Sequence, residues 1–166
     1  MSLSTTDADT DTDDTAADIA AADGGHVISF LVRHVWLGMR AAIEGELAEF
    51  GLTVPQFATL MMLDHAPGMS IAEVARACGT TRQAANEMVT GLQEQGLVER
   101  APHPTDRRVQ QLTATEAGRE TFRRAGPAVR RREEELEAGL SPELRRAGRE
   151  WMAALAISCA LQEKGA

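Results

Sequence analysis

Two cysteines, a single lysine and no tyrosine make an uneven inventory for 166 residues. Cys78 and Cys159 stand alone, without a Cys-x-x-Cys pair or Cys/His ligand spacing, so neither a disulfide framework nor a zinc site is expected. The histidines, at positions 26, 34, 65 and 103, are not spaced for a metal either. No segment has the roughly 18 consecutive apolar residues of a transmembrane helix. The first residues lack the basic start and apolar run of a signal peptide, so the expected compartment is the cytoplasm. A Gly-rich phosphate loop, a nucleophile motif and a paired set of acids are also missing, and no enzyme chemistry, cofactor or metal is expected.

The net charge of −8 argues at first against a polyanionic partner. Its distribution reverses that argument. Residues 1–25 hold seven Asp and no Lys or Arg, and the remaining 18 acids nearly balance the 17 bases. From Arg76 to Arg132 there are 11 Arg against 6 acids, a local excess of +5. A basic segment in an acidic chain can still present a phosphate-binding face. Residues 1–25 have little to bury and read as a disordered acidic tail.

Apolar periodicity predicts a long helix over residues 26–50, with Val27, Leu31, Val35 or Trp36, Met39, Ile43 and Leu47 at helical spacing. Ile28, Phe30, Val32 and Leu37 fill its other side, so it needs cover most of the way round. Thr53-Val54-Pro55-Gln56 and Ser70-Ile71-Ala72-Glu73 have the spacing of capping boxes. They open one helix to about Asp64 and a short one to about Cys78, which Gly79 stops. Thr81 caps the next helix, which runs to about Gln95 before Gly96. Leu97–Arg100 and Val109–Leu112 can pair as short strands, and the prolines at 102 and 104 exclude a regular strand between them. Thr115 caps a long helix to about Ala138, with a bend expected at Gly126-Pro127. Ser141-Pro142 opens the last helix, whose stripe is Leu144, Ala147, Trp151, Leu155 and Ser158 or Cys159.

The order helix, tight turn, helix, hairpin is that of a winged helix-turn-helix. In Thr81–Gln95 the residues Ala85, Met88, Val89 and Leu92 make a buried stripe, while Arg82, Gln83 and Asn86 share the opposite face near the helix start. That end enters a major groove in such folds. Arg suits guanine edges, and Asn and Gln suit adenine. Thr81 and the free N–H groups beside it suit a phosphate, and Thr90 completes the candidate set on this helix. At the hairpin tip, Arg107 and Arg108 can reach a minor groove, with Asp106 two residues away to hold Arg108 by a paired hydrogen bond. Glu87 is the discordant residue. It points aside, pairs with an Arg, or accepts a hydrogen bond from cytosine.

These residues resemble the MarR family of bacterial winged-helix regulators, from about His26 to the C-terminus. The resemblance rests on Leu52-Thr53-x-x-Gln56, Ile71-Ala72-Glu73-Val74-Ala75, Thr81-Arg82-Gln83-Ala84 and Leu92-x-x-x-Gly96-Leu97-Val98-x-Arg100, in that order. Asp106-x-Arg108 and Thr115-x-x-Gly118 follow. Ala114 stands where the family usually has Leu, and Glu87 where a basic or polar residue is commoner. The resemblance implies a homodimer on a roughly palindromic operator, released by a small ligand. It divides the chain into an acidic tail (1–25), an N-terminal dimerisation helix (26–50), a DNA-binding lobe (51–114) and C-terminal helices completing the dimerisation platform (115–166). The expected fold is mainly α with a small β-hairpin wing.

For the ligand, Arg33, His34 and Trp36 on the first helix, with Met62, Asp64 and His65 ending the second, could take an aromatic anion. Cys78 and Cys159 read as buried, inert thiols. The alternative function is a winged-helix interaction or small-molecule-binding module that no longer reads DNA, supported by Glu87 and the acidic tail.

Overall fold

The computed structural model describes residues 27–102 and 110–165. The acidic tail and the hairpin tip with Asp106, Arg107 and Arg108 lie outside the described residues. The elements in order are α1 (Ile28–Ala48), α2 (Val54–His65), β1 (Met69–Ser70), α3 (Ile71–Ala77), α4 (Arg82–Glu94), β2 (Val98–Pro102), β3 (Gln110–Ala114), α5 (Glu116–Leu136) and α6 (Pro142–Gly165). The chain forms two compact units, one through Ala42 and one from Ile43 onward.

Both capping boxes form. The Thr53 side chain accepts from the Gln56 amide while Gln56 reaches back to the Thr53 amide, and Ser70 and Glu73 do the same for α3. Each box satisfies two amides that the first turn would leave without partners. Thr81 and Thr115 cap α4 and α5 by accepting from Ala84 and Gly118. The turns after α3 and α4 pass through Gly79 and Gly96 at φ 60° and 71°, the left-handed region that a side chain disfavours.

Three antiparallel strands lie in the order β1-β3-β2. Two features depart from the sequence reading. Met69–Ser70 adds a third strand, pairing Met69 with Leu112, too short to carry an alternating pattern. Strand β2 also runs on through Ala101 to Pro102, which pairs with Gln110. Proline is tolerated there because β2 is an edge strand, where a missing N–H need not break a ladder bond.

The core of the second unit draws on nearly every element. Leu47, Leu60, Leu63, Val74, Ala85, Val89, Leu92, Leu112 and Ala125 are buried. Ala114 is buried opposite Val98, so the small side chain fits the hairpin. Phe57 of α2 and Phe122 of α5 stack at a tilt, with centroids 5.2 Å apart. Thr59 is the one polar side chain buried among the described residues, and its hydroxyl donates to the Pro55 carbonyl at 2.8 Å. Helix α5 continues through Pro127 as a single helix. Within α5, Arg132 pairs with Glu135, and Arg131 reaches Glu46 of α1.

The tightest seam joins α4, β2 and α5. The Thr115 amide donates to the Leu97 carbonyl at 3.0 Å and its hydroxyl donates to the Gly96 carbonyl at 2.7 Å. A Cβ on Gly118 would stand 2.0 Å from the Leu97 carbonyl oxygen. Backbone cannot yield as a flexible side chain does, so Gly118→Ala should destabilise the protein by about 1–3 kcal/mol. Gly148→Ala, with nothing within 4 Å of its Cβ, should not. Urea denaturation of the two variants checks this, and an unchanged midpoint for Gly118→Ala would refute the packing at this seam.

Candidate nucleic-acid interface

Helix α4 is amphipathic in the way a groove reader requires. Ala85, Val89 and Leu92 are buried, and Arg82, Gln83 and Asn86 are exposed. Helix α3 packs against it, held by the Ser70 capping box at one end and the Gly79 turn at the other. The first turn of α4 is therefore presented by a fixed frame. Thr81 accepts from the Ala84 amide at 3.1 Å.

Three of the candidate side chains on α4, those of Gln83, Asn86 and Thr90, are engaged with neighbours. The Gln83 amide nitrogen donates to a Glu87 carboxylate oxygen at 3.1 Å. Glu87 is exposed, and its hydrogen-bond partner is a glutamine one turn back rather than an arginine. The Arg100 guanidinium, projecting from β2, donates from Nη1 to Asn86 Oδ1 at 3.0 Å and from Nη2 to Thr90 Oγ1 at 2.9 Å. Thr90 in turn donates its proton to the Asn86 carbonyl at 2.8 Å. Thr90 is half-buried, and both its donor and an acceptor lone pair are spent on this network. Thr90 thereby links Asn86 to Arg100.

Sequence reasoning missed Arg100 as a site residue. The signal was present in the strand alternation: Val98 is buried, Glu99 exposed and Arg100 half-buried, so Arg100 shares the inner face of β2. An Arg on an inner face implies a partner. Its Nε is buried and has no hydrogen-bond partner among the described residues. Arg100 also lines a cleft of about 250 Å³ with Ser70, Ile71 and Ala72 at the start of α3 and Arg82 and Asn86 of α4.

The remaining candidates divide. Asp106, Arg107 and Arg108 lie outside the described residues. Arg33, His34 and Trp36 belong to the first unit, and Met62, Asp64 and His65 to the second. His34 donates from Nδ1 to the Phe30 carbonyl at 3.0 Å, and His65 to that of Met61 at 3.1 Å, each one turn back on its own helix. Trp36 is 53% exposed. Against the expectation of buried thiols, Cys78 is half-buried and Cys159 is exposed on α6. Among the described residues no group of acidic, His and Cys side chains could hold a metal ion, and no helix is long and apolar enough to cross a membrane.

Comparison with known proteins gives one consistent answer. A MarR family model matches residues 50–109. The HTH-type transcriptional repressor Rv2887 of Mycobacterium tuberculosis is 35% identical over 103 residues, spanning 62% of this chain and 74% of its own length. The crystal structure of the Rv2887 protein with p-aminosalicylic acid aligns with a TM-score of 0.68 at 30% identity, covering 78% of this chain and 98% of that one. The repressor CouR, solved on a 23-mer DNA duplex, aligns with a TM-score of 0.74 at 29% identity over 81% of this chain and 96% of its own. With the helix-turn-helix frame, the exposed first turn of α4 and these relatives in agreement, the chain belongs to the MarR family of transcriptional regulators.

Proposed function

We propose that this protein is a homodimeric repressor that reads double-stranded DNA and leaves it when a small aromatic anion binds. The observation that carries the reading is α4, whose buried stripe orients Arg82, Gln83 and Asn86 outward at the end that a groove would receive. Relatives solved with a DNA duplex and with p-aminosalicylic acid support it. The protein acts by binding rather than by catalysis, in the cytoplasm where its operator is. Arg82, Gln83 and Asn86 face bases, Thr81 and the α4 amides face phosphate, and Arg107 and Arg108 serve the wing with Asp106 orienting Arg108. Residues 51–114 form the reading lobe. The helices on either side pair with a second copy, which explains why Leu144, Trp151, Met152 and Ile157 of α6 and Val32, Val35 and Trp36 of α1 are exposed on one protomer.

Fluorescence anisotropy with operator-sized duplexes at several salt concentrations tests DNA reading. The expected result is tight binding that weakens steeply with salt. Micromolar binding indifferent to sequence would instead favour a module that has lost DNA reading. Within a binding-competent protein, Arg108→Ala should weaken all sequences and Asn86→Ala should relax one base pair, each by about 1–3 kcal/mol.

Trp36 also provides a reporter for the effector. It is exposed three residues from Arg33 on the same face of α1, a pairing suited to stacking and charge neutralisation of an aromatic carboxylate. Adding salicylate should change tryptophan fluorescence and lower DNA affinity together. Absence of both changes would count against an effector of this class.

A further inference from the structure

Arg100 fixes more than the packing of β2 on α4. A guanidinium has donors only, so the Asn86 atom that faces Nη1 at 3.0 Å must be the carboxamide oxygen. The same planar fork holds Thr90 Oγ1 through Nη2 at 2.9 Å, and Thr90 is tied to the Asn86 carbonyl at 2.8 Å. The fork cannot swing to follow Asn86 without losing Thr90, because its donors are rigidly spaced. The exposed Asn86 carboxamide is therefore held with its oxygen toward β2, where Arg100 engages one of the oxygen's two lone pairs, while its NH2 has no hydrogen-bond partner among the described residues and both its protons are available to an outside acceptor.

Resting on the DNA-reading function above, we infer that Arg100 is a positioning residue that makes Asn86 a hydrogen-bond donor toward the major groove, so that this position selects guanine. An Asn with both amide atoms free pairs with adenine, which offers one acceptor and one donor side by side. Guanine offers two acceptors, O6 and N7, and suits a carboxamide presenting its NH2. The ordinary Asn–adenine expectation for Asn86 is thereby inverted by a side chain that itself touches no base.

Selection of bound duplexes from random sequence tests this with the wild type, Asn86→Ala, Arg100→Met, Arg100→Lys and Thr90→Val, each checked for folding by a thermal melt. The wild type should enrich a half-site with guanine at the one position that Asn86→Ala relaxes. Arg100→Met should relax that same position between guanine and adenine while the rest of the half-site stands. Arg100→Lys, which keeps one donor, should retain part of the preference. Thr90→Val, which removes only the second anchor of the fork, should relax the position more weakly and stands in if Arg100→Met does not fold. Placing 7-deazaguanine there should cost the wild type roughly tenfold in affinity and cost Arg100→Met less. Adenine at the Asn86-dependent position, or the wild-type base preference persisting in both Arg100→Met and Thr90→Val, overturns the inference alone. A wild type that enriches no motif overturns the DNA-reading function and this inference with it.

Discussion

The backbone carbonyl of Leu97 is the point at which the reading lobe closes. Helix α4 ends at the left-handed Gly96, and the Leu97 amide folds back to the Leu92 carbonyl at 2.9 Å. The Leu97 carbonyl then accepts from Thr115, the cap of α5, and Gly118 leaves room for the approach by having no side chain. One residue thus joins the end of α4, the start of β2 and the first turn of α5. The consequence reaches the site three residues on. With β2 fixed against α4, the inner face of the strand carries Arg100 to Asn86 and Thr90. Helix α4 is held at its start by the Thr81 cap and by α3 packed against it, and in its middle by Arg100. Such preorganisation is what base reading needs, since a side chain ordered in advance loses less entropy on binding.

Charge is organised less simply than its local sum implies. Much of the positive excess between Arg76 and Arg132 sits on α5, where four of the six arginines are paired. Arg119 and Arg123 bind Glu116, Arg123 also binds Glu120, and Arg131 and Arg132 bind Glu46 and Glu135. Exposed pairs of this kind contribute little stability, about 0–1 kcal/mol each. They do remove those arginines from the field available to phosphate. Arg82, exposed at the start of α4, has no ion-pair partner among the described residues. Its charge stands at the first turn of α4, where the amide dipoles reinforce it. Glu87 does not cancel it with an ion pair, since its hydrogen bond goes to Gln83.

Local chemistry made most of this fold legible in the sequence. Thr53, Ser70, Thr81 and Thr115 announce helix starts because a hydroxyl at that position satisfies a specific amide, and Gly79 and Gly96 announce stops because only a left-handed residue fits. The exposed face of α4 followed from its periodicity. What the sequence concealed depends on tertiary neighbours. Pro102 reads as a strand breaker until β2 proves to be an edge, and Met69–Ser70 becomes a strand only because β3 lies beside it. The bond that Thr90 accepts from Arg100 was hidden in the same way, since its donor comes from another element. Arg100 itself was visible only as an arginine at an inward position of a short strand, a weak signal without knowledge of what lies across from it.

The most direct test is a structure of this protein bound to a duplex carrying its selected site. If α4 is the reader, its first turn lies in the major groove with Arg82, Gln83 and Asn86 at base edges, and Arg100 remains bonded to the Asn86 oxygen. DNA held on another surface, with the first turn of α4 facing solvent, would contradict it.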